Sequence, residues 1–271
     1  MPLSQFQSRV LGILAAGRTP ESFIAGGIAI NREGPRYSRA IDIFQDSEEV
    51  LAAAAEADQR LLTDAGMRVN WRSNRTGHRS AIVSADTDSM RLEWVHDSAF
   101  RFFPAQPDAQ FGYVLHPVDL AANKVSAAAD RREARDIVDL VTIHENILPL
   151  GAAICAAVGR FPGQSPEEML AEIRRHARLS AEEIESLAMD GPLDVKAFTA
   201  RVRAMLDHAD VFIRHLPSEA VGVVFLRAGR WEQPDLDRLD EYDRRPGSRG
   251  GIWPSSSEIN RAMLGRYSSE P

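Results

Sequence analysis

The chain has one cysteine in 271 residues, so no internal disulfide can form, and a reducing compartment suits it. Cys155 sits in the apolar string AAICAAV, a setting for a buried small hydrophobe rather than a nucleophile. No apolar run is long enough to cross a bilayer. The opening MPLSQFQSRVLGILAAG has too short an apolar core and too little positive charge for a secretory signal, so a soluble, cytoplasmic protein is expected. Basic residues are not in excess. The net charge is −7 and the pI near 5.6, which does not forecast a surface coated for nucleic acid and does not exclude a local basic groove. His78, His96, His116 and His144 are dispersed, without metal-ligand spacing. What is present is ordinary for a globular protein: 44% hydrophobic and 26% charged residues, enough for one large domain or two smaller ones.

The pattern changes character along the chain. Leu3 to Ala16 has helical spacing and Gly17 beyond it, and Glu48 to Ala65 is an alanine-rich helix closed by Gly66. The period then becomes alternating, predicting strands over Met67–Arg72, His78–Ala85 and Ser89–His96, with short ones at Phe100–Phe103 and Phe111–Leu115 around a Pro104–Asp108 loop. From His116 onward helices dominate: Val118–Ala129, Arg131–His144, Leu150–Val158, Met169–Arg178, Ile184–Met189 and Val195–His215. Ser165-Pro166 and Ser180 with Glu183 supply helix starts. Val221–Arg227 reads as an extra strand or a buried helix, and Trp71 and Trp94 as core. This predicts an α/β unit over 1–115, a helical domain over 116–234, and a charged, Gly/Ser-rich extension over 235–271. That extension is either a partner-binding arm or a surface wrap.

Two stretches carry chemistry. In FIAGGIAINREGPRYSRAIDIF, Phe23 to Phe44, an apolar run ends in Gly26-Gly27, a short helical segment follows, and a second apolar run carries Asp42. A glycine pair lets backbone N–H groups approach phosphate oxygens, and a carboxylate on the neighbouring strand can bind Mg²⁺ together with substrate phosphates. In LHPVDLAANKVSAAADRREARDIVDL, Leu115 to Leu140, Lys124 shares a helix with Asp119 among small apolar residues. A lysine there needs an anion, a carboxylate or an exit to solvent. Asp136 and Asp139, three apart, share one helical face, where they could equally form a salt-bridge cluster with Arg131, Arg132 and Arg135.

Gly26-Gly27-Ile28-Ala29-Ile30, then Arg36-Tyr37-Ser38 before Ile41-Asp42-Ile43-Phe44, then Asp119-Leu120 with Lys124, then Arg135-Asp136 and Asp139-Leu140 come in a definite order. The set resembles the abortive-infection (AbiE second-component/AbiG type) nucleotidyltransferase toxins, the toxin halves of bacterial toxin–antitoxin pairs. The resemblance covers roughly residues 20–145. It implies an α+β fold: a DNA-polymerase-β-like nucleotidyltransferase core, a mixed sheet with helices, followed by a mostly helical domain with the site in the cleft between. It also implies that Gly26, Gly27 and Ser38 bind nucleotide, that Asp42 binds Mg²⁺, that Lys124 meets the triphosphate, and that Asp136 is a catalytic or organising carboxylate. Glu93, in the alternating run Met90 to Val95, is the best candidate for a further metal ligand.

One departure bears on activity. The family has aspartate two positions before Asp42, where this chain has Ala40. A two-metal phosphoryl transfer needs carboxylates that bridge both ions, so this site is expected to hold nucleotide but transfer it poorly. Ala40 marks either a natural pseudoenzyme or an inactivating substitution that lets a toxic protein be produced, and the intact Ser38, Asp42, Lys124 and Asp136 favour the second. The expected function is transfer of NMP from an NTP to an acceptor, with RNA and the tRNA 3′ end foremost, and a cognate antitoxin as partner. Arg32, Arg36, Arg39, Arg72, Arg75 and Arg79 could form the basic path such an acceptor requires. The alternatives are a catalytically silent module that binds nucleotide or antitoxin, and a metal-independent, kinase-like transfer.

Overall fold

The computed structural model describes residues 3–161 and 163–252. The predicted tail beyond 252 lies outside the described residues. Ser4 and Gln7 form a capping box that starts α1 (Gln5–Leu14). There follow β1 (Ser22–Ala25), the short α2 (Gly26–Ile30), β2 (Ala40–Gln45), α3 (Glu48–Asp64), β3 (Arg68–Arg75), β4 (His78–Ala85), β5 (Asp88–His96), β6 (Phe100–Arg101), β7 (Gln106–Asp108) and β8 (Gly112–Val114). The main sheet runs β3-β4-β5-β2-β1-β8-β7. It is mixed: β2 lies parallel to β5, β1 is parallel to β8, and the other neighbours are antiparallel. Mixed sheet with helices is the fold class that the sequence predicts.

Alternation along β2 separates two cores. Ile41 and Ile43 point to one face, where they join Val10, Leu14, Leu51 and Trp94 under α1 and α3. On that face Arg18 bonds Asp58, whose other oxygen accepts from the Trp94 indole at 2.8 Å, so a tryptophan read as core is core. The opposite face, carrying Phe23 and Ala25, packs on the helices that follow. These are α4 (Pro117–Asp130), α5 (Ala134–Asn146), α6 (Leu150–Arg160), α7 (Pro166–His176), α8 (Ala181–Glu185) and α9 (Val195–His215). No single helix among the described residues is long and apolar enough to cross a membrane; α5 and α6 pass by length and composition only as a pair bent by 112°.

Three predicted elements differ. The Pro104–Asp108 loop contains β7, an edge strand where a proline's missing N–H costs no ladder bond. The helix expected to reach Met189 stops at Glu185: after a turn at 186–187, the Tyr37 and Asp190 N–H groups bond the Ala188 and Pro35 carbonyls, which clasps 188–190 to the 35–37 loop. The helix expected from Arg131 starts at Ala134, since Arg131 is extended and its guanidinium turns to Asp136.

The chain ends its described course in β9 (Val223–Arg227), β10 (Arg230–Trp231), β11 (Asp243–Pro246) and β12 (Ser248–Arg249). β9 resolves the ambiguity at Val221–Arg227 in favour of strand. β12 pairs with β6, and Arg245 donates to the Phe102 carbonyl at 2.6 Å, so residues 243–251 wrap back over 99–103. Beneath this wrap, His116 caps α4 by accepting the Val118 N–H, between the rings of Phe103 and Trp231.

Burial first, and then Arg245, pushes the His116 imidazolium pKa down to about 4. A histidine kept neutral stabilises fully above its unfolded value of about 6.5, and that stability is lost as pH falls toward the folded value. Asp119 and Asp42, both pushed up to about 6 by burial, act in the opposite sense below pH 6 and partly mask the loss. Replacement by asparagine, which also caps helices, isolates the histidine. Relative to His116→Asn, the unsubstituted chain is expected to lose up to about 3 kcal/mol between pH 6.5 and 4. Urea unfolding across that range checks this, and parallel curves for the two proteins would refute it.

Candidate active site

Between the helix-covered sheet face and α4, α5 and the 186–188 segment lies a cavity of about 830 Å³. Its floor is the other half of the β2 alternation: Ala40, Asp42 and Phe44. Parallel pairing sets Asp42 beside Glu93, and Ala40 beside Arg91. Glu93 therefore reaches the same face as Asp42, and Arg91 bonds it at 3.0 Å. Burial, and next the Glu93 charge, push the Asp42 carboxyl up to about 6, against the pull of Lys124, Arg135 and Arg91. Asp42, raised by burial and by the carboxylate beside it, forms with Glu93 a donor pair that a cation would relieve.

The glycine pair stands directly over this floor. Gly26 has φ +69°, a left-handed conformation, and a Cβ there would run into the Asp42 carboxylate. A Cβ on Gly27 would meet the Arg36 guanidinium. Both glycines are thus required by the backbone's close approach to site side chains, and both line the cavity. Ser38 lines it too, its hydroxyl donating to the Ala40 carbonyl at 3.0 Å.

Lys124 projects from α4, with its ammonium 2.7 Å from Asp136 and 2.9 Å from Asp139. Burial opposes its charge, but these two carboxylates outweigh it and raise the lysine. Both aspartates are fully buried, and the cations around them hold them below the ordinary carboxylate range. Arg131 bonds Asp136 at 2.8 Å, and Arg36 grips both oxygens of Asp139 at 2.8 and 2.9 Å. Asn31 donates to Asp139 and to the Gly27 carbonyl, linking α5 to the glycine turn.

Asp42, Glu93, Gly26, Gly27, Ser38 and Lys124 therefore share one cavity wall system, while Asp136 sits behind Lys124 and does not line it. Of the residues expected to form a basic path, only Arg39 and Arg36 line the cavity, and Arg36 is committed to Asp139. Arg32 is held by Asp108 and the Phe111 ring, Arg79 by Glu56, and Arg72 and Arg75 lie on the edge strand β3. The cavity's further cationic side chains are Arg91, Arg131, Arg132 and Arg135. Arg91 was legible as the residue two before Glu93 on an alternating strand. Asn31 and Arg36 carried no such local signal.

No group of three or more His, Cys, Asp or Glu that could hold a metal occurs among the described residues. Asp42 and Glu93 nonetheless fit a hard cation that completes its shell with phosphate oxygens and water, because Mg²⁺ is commonly bound through one or two carboxylates. With Ala40 in place there is no third carboxylate on this floor to bridge a second ion.

The family model of the AbiEii nucleotidyl transferase toxins, of type IV toxin–antitoxin systems, matches residues 13–217. Among solved structures, MenT4, a nucleotidyltransferase toxin from Mycobacterium tuberculosis H37Rv, superposes with a TM-score of 0.56 at 18% identity, covering 79% of this chain and 83% of that one. A protein from H. pylori described as a candidate nucleotidyltransferase gives 0.46 at 14% identity, over 79% of this chain and 99% of that one, and carries no weight. No curated protein matches. The likeness to MenT4 shows a shared fold.

Proposed function

We infer that this chain, which belongs to the AbiEii nucleotidyl transferase toxin family, binds an NTP and Mg²⁺ in the cavity over β2 and transfers NMP to an acceptor. The observation that supports this reading best is the in-register pair Asp42 and Glu93 under a glycine turn, facing arginines across the cavity. In such a transfer an acceptor hydroxyl attacks the α-phosphorus, and the bond to the β-phosphate oxygen breaks with loss of pyrophosphate. Asp42 and Glu93 would hold Mg²⁺, which supplies charge neutralisation at the phosphates.

The chain's own groups do the rest. Gly26 and Gly27 let the backbone approach the phosphates, and Arg39 and Arg135 offer guanidinium donors with few internal commitments. Lys124 faces the same space, but Asp136 and Asp139 neutralise it, so its role is to present one N–H to a phosphate from a fixed position. Asp136 organises Lys124 and Arg131 rather than reaching the reacting atoms. RNA, including the 3′ end of tRNA, is the acceptor class we favour, with an antitoxin as the family's expected partner.

Ala40 supports a second reading, a catalytically silent module that binds nucleotide or antitoxin. Incubation of the chain and of Asp42→Asn with each of the four α-labelled NTPs, total RNA and Mg²⁺ tests the first. Weak, Mg²⁺-dependent labelling that Asp42→Asn abolishes is expected. Labelling that persists in EDTA would instead support the metal-independent transfer.

A further inference from the structure

A second cavity, of about 460 Å³, opens beside the first and shares Phe44, Asn123 and Ala127 with it. Two adjacent stripes of α4 make the arrangement: Asn123, Lys124 and Ala127 face the larger space, with Arg131 just past the helix end, and Asn123, Ser126, Ala127 and Asp130 face the smaller. On β2 the step from Asp42 to Phe44 is roughly 6–7 Å, so the smaller cavity begins about one nucleoside's reach from the carboxylate pair.

The two spaces differ in charge. Arginines surround the larger one, whereas the ionisable side chains lining the smaller are Asp97 and Asp130. Asp97 is spent: Arg160, Asn123 and the Ser98 N–H all donate to it. Asn123 is fixed as well, since Arg160 also donates to its carbonyl oxygen. The Asp130 side chain, exposed at the mouth of this cavity, has no hydrogen bond or ion pair among the described residues, and the same holds for the exposed Gln164. Ser126 gives its proton to the Ala122 carbonyl, which leaves its oxygen as an acceptor. The free polar groups are therefore mostly acceptors, set between the Phe44 and Phe161 rings and Met169. Phe161 is 37% exposed, a large aromatic face with room for a stacking partner.

A phosphate would be repelled by the Asp130 carboxylate at the mouth, and an apolar ligand would leave that carboxylate unused. A flat ring with N–H donors on its edge satisfies both the aromatic walls and the carboxylate. We propose that this smaller cavity is a subsite for a nucleobase bearing an exocyclic amino group (adenine, cytosine or guanine), with Asp130 accepting from that group and Phe161 stacking on the ring. Uracil, whose one edge donor is N3–H flanked by two carbonyl oxygens that a carboxylate repels, is disfavoured. The inference rests on the nucleotidyl-transfer reading. The base belongs either to the incoming NTP or to the terminal nucleoside of an RNA acceptor.

Calorimetric titration of the full chain, of Asp130→Asn and of Phe161→Ala separates these sources. One arm uses the four NTPs with Mg²⁺; the other uses RNA trinucleotides ending in each of the four nucleosides. In one arm the amino-bearing bases are expected to bind roughly tenfold more tightly than uracil, and Asp130→Asn to reduce that preference to under about threefold. Phe161→Ala should weaken all four ligands of that arm. A preference among free NTPs assigns the subsite to the NTP base; one confined to RNA ends assigns it to the acceptor. Binding without base preference in either arm, or a preference that survives Asp130→Asn, overturns the proposal. Failure of the folded chain to bind any NTP is a different result, and overturns the nucleotidyl-transfer reading beneath it.

Discussion

Ala40→Asp is expected to raise NMP transfer by about two orders of magnitude or more, the scale on which single electrostatic groups act in preorganised sites. Position 40 points to the same face as Asp42, lines the cavity, and pairs across β2 and β5 with Arg91, one residue pair along from Asp42 and Glu93 on that face. An added carboxylate there completes a set able to bridge two ions, which Asp42 and Glu93 do not provide. The same substitution should weaken the metal-free protein, because a third negative group joins Glu93 beside Asp42, whose carboxyl burial and the Glu93 charge already push up to about 6. Two readouts follow: labelling of RNA by α-labelled NTPs, and thermal melting with Mg²⁺ or EDTA. The variant should melt lower than the parent in EDTA and recover more in Mg²⁺. A variant that folds and responds to Mg²⁺, yet labels neither RNA nor protein, would move the reading to a silent binding module.

Asp139→Asn is expected to cost about 3–5 kcal/mol of stability, the penalty for stranding buried charge. The carboxylate is fully buried and serves Lys124, Arg36 and Asn31 at once. Neutralising it leaves the Arg36 guanidinium without a counter-ion and Lys124 with Asp136 alone. Because Arg36 and Asn31 both touch the glycine turn, NTP binding should weaken with stability. Glu145→Gln, which breaks the exposed pair with Arg201, is the control and should cost less than about 1 kcal/mol. Urea unfolding reads both, and an Asp139→Asn protein no less stable than the control would show that the network contributes little. The pH dependence has a defined sign. Asp136 and Asp139 titrate below the ordinary carboxylate range, so their contribution is present above the unfolded value of about 3.9 and is lost as pH falls below it.

Much of the fold was legible because its signals are local. The strand His78–Ala85 and the helix Val195–His215 run as expected, the first set by alternation after Gly77 at φ +71°, the second by an Asp194 cap and an apolar stripe. The elements that departed did so through distant partners. The 186–190 segment gave up helical continuation for backbone bonds to Pro35 and Tyr37, and Arg131 left its helix for Asp136. For the candidate site, the glycine pair, Asp42, Ser38 and Lys124 could be named from motif order and resemblance, and Glu93 from the resemblance together with the alternation of its strand; the structure brings all of them to one cavity.

The roles of these charges were not legible, since a carboxylate's availability depends on what surrounds it in space. Asp42 and Asp136 look alike in sequence, each an acid in an apolar run. The structure sets Asp42 beside another carboxylate on a cavity floor, and Asp136 against Lys124 and Arg131 behind the wall. Arg36 and Asp139 are 103 residues apart, and Asn31 and Asp139 are 108 apart, separations at which no periodicity carries information. The sequence by itself determined the elements and the order of the motifs, because caps, turns and hydrophobic periods act within a few residues. Only the tertiary structure decided which charges are neutralised and which face the cavity, because Coulomb and desolvation energies depend on distance and burial, not on position along the chain.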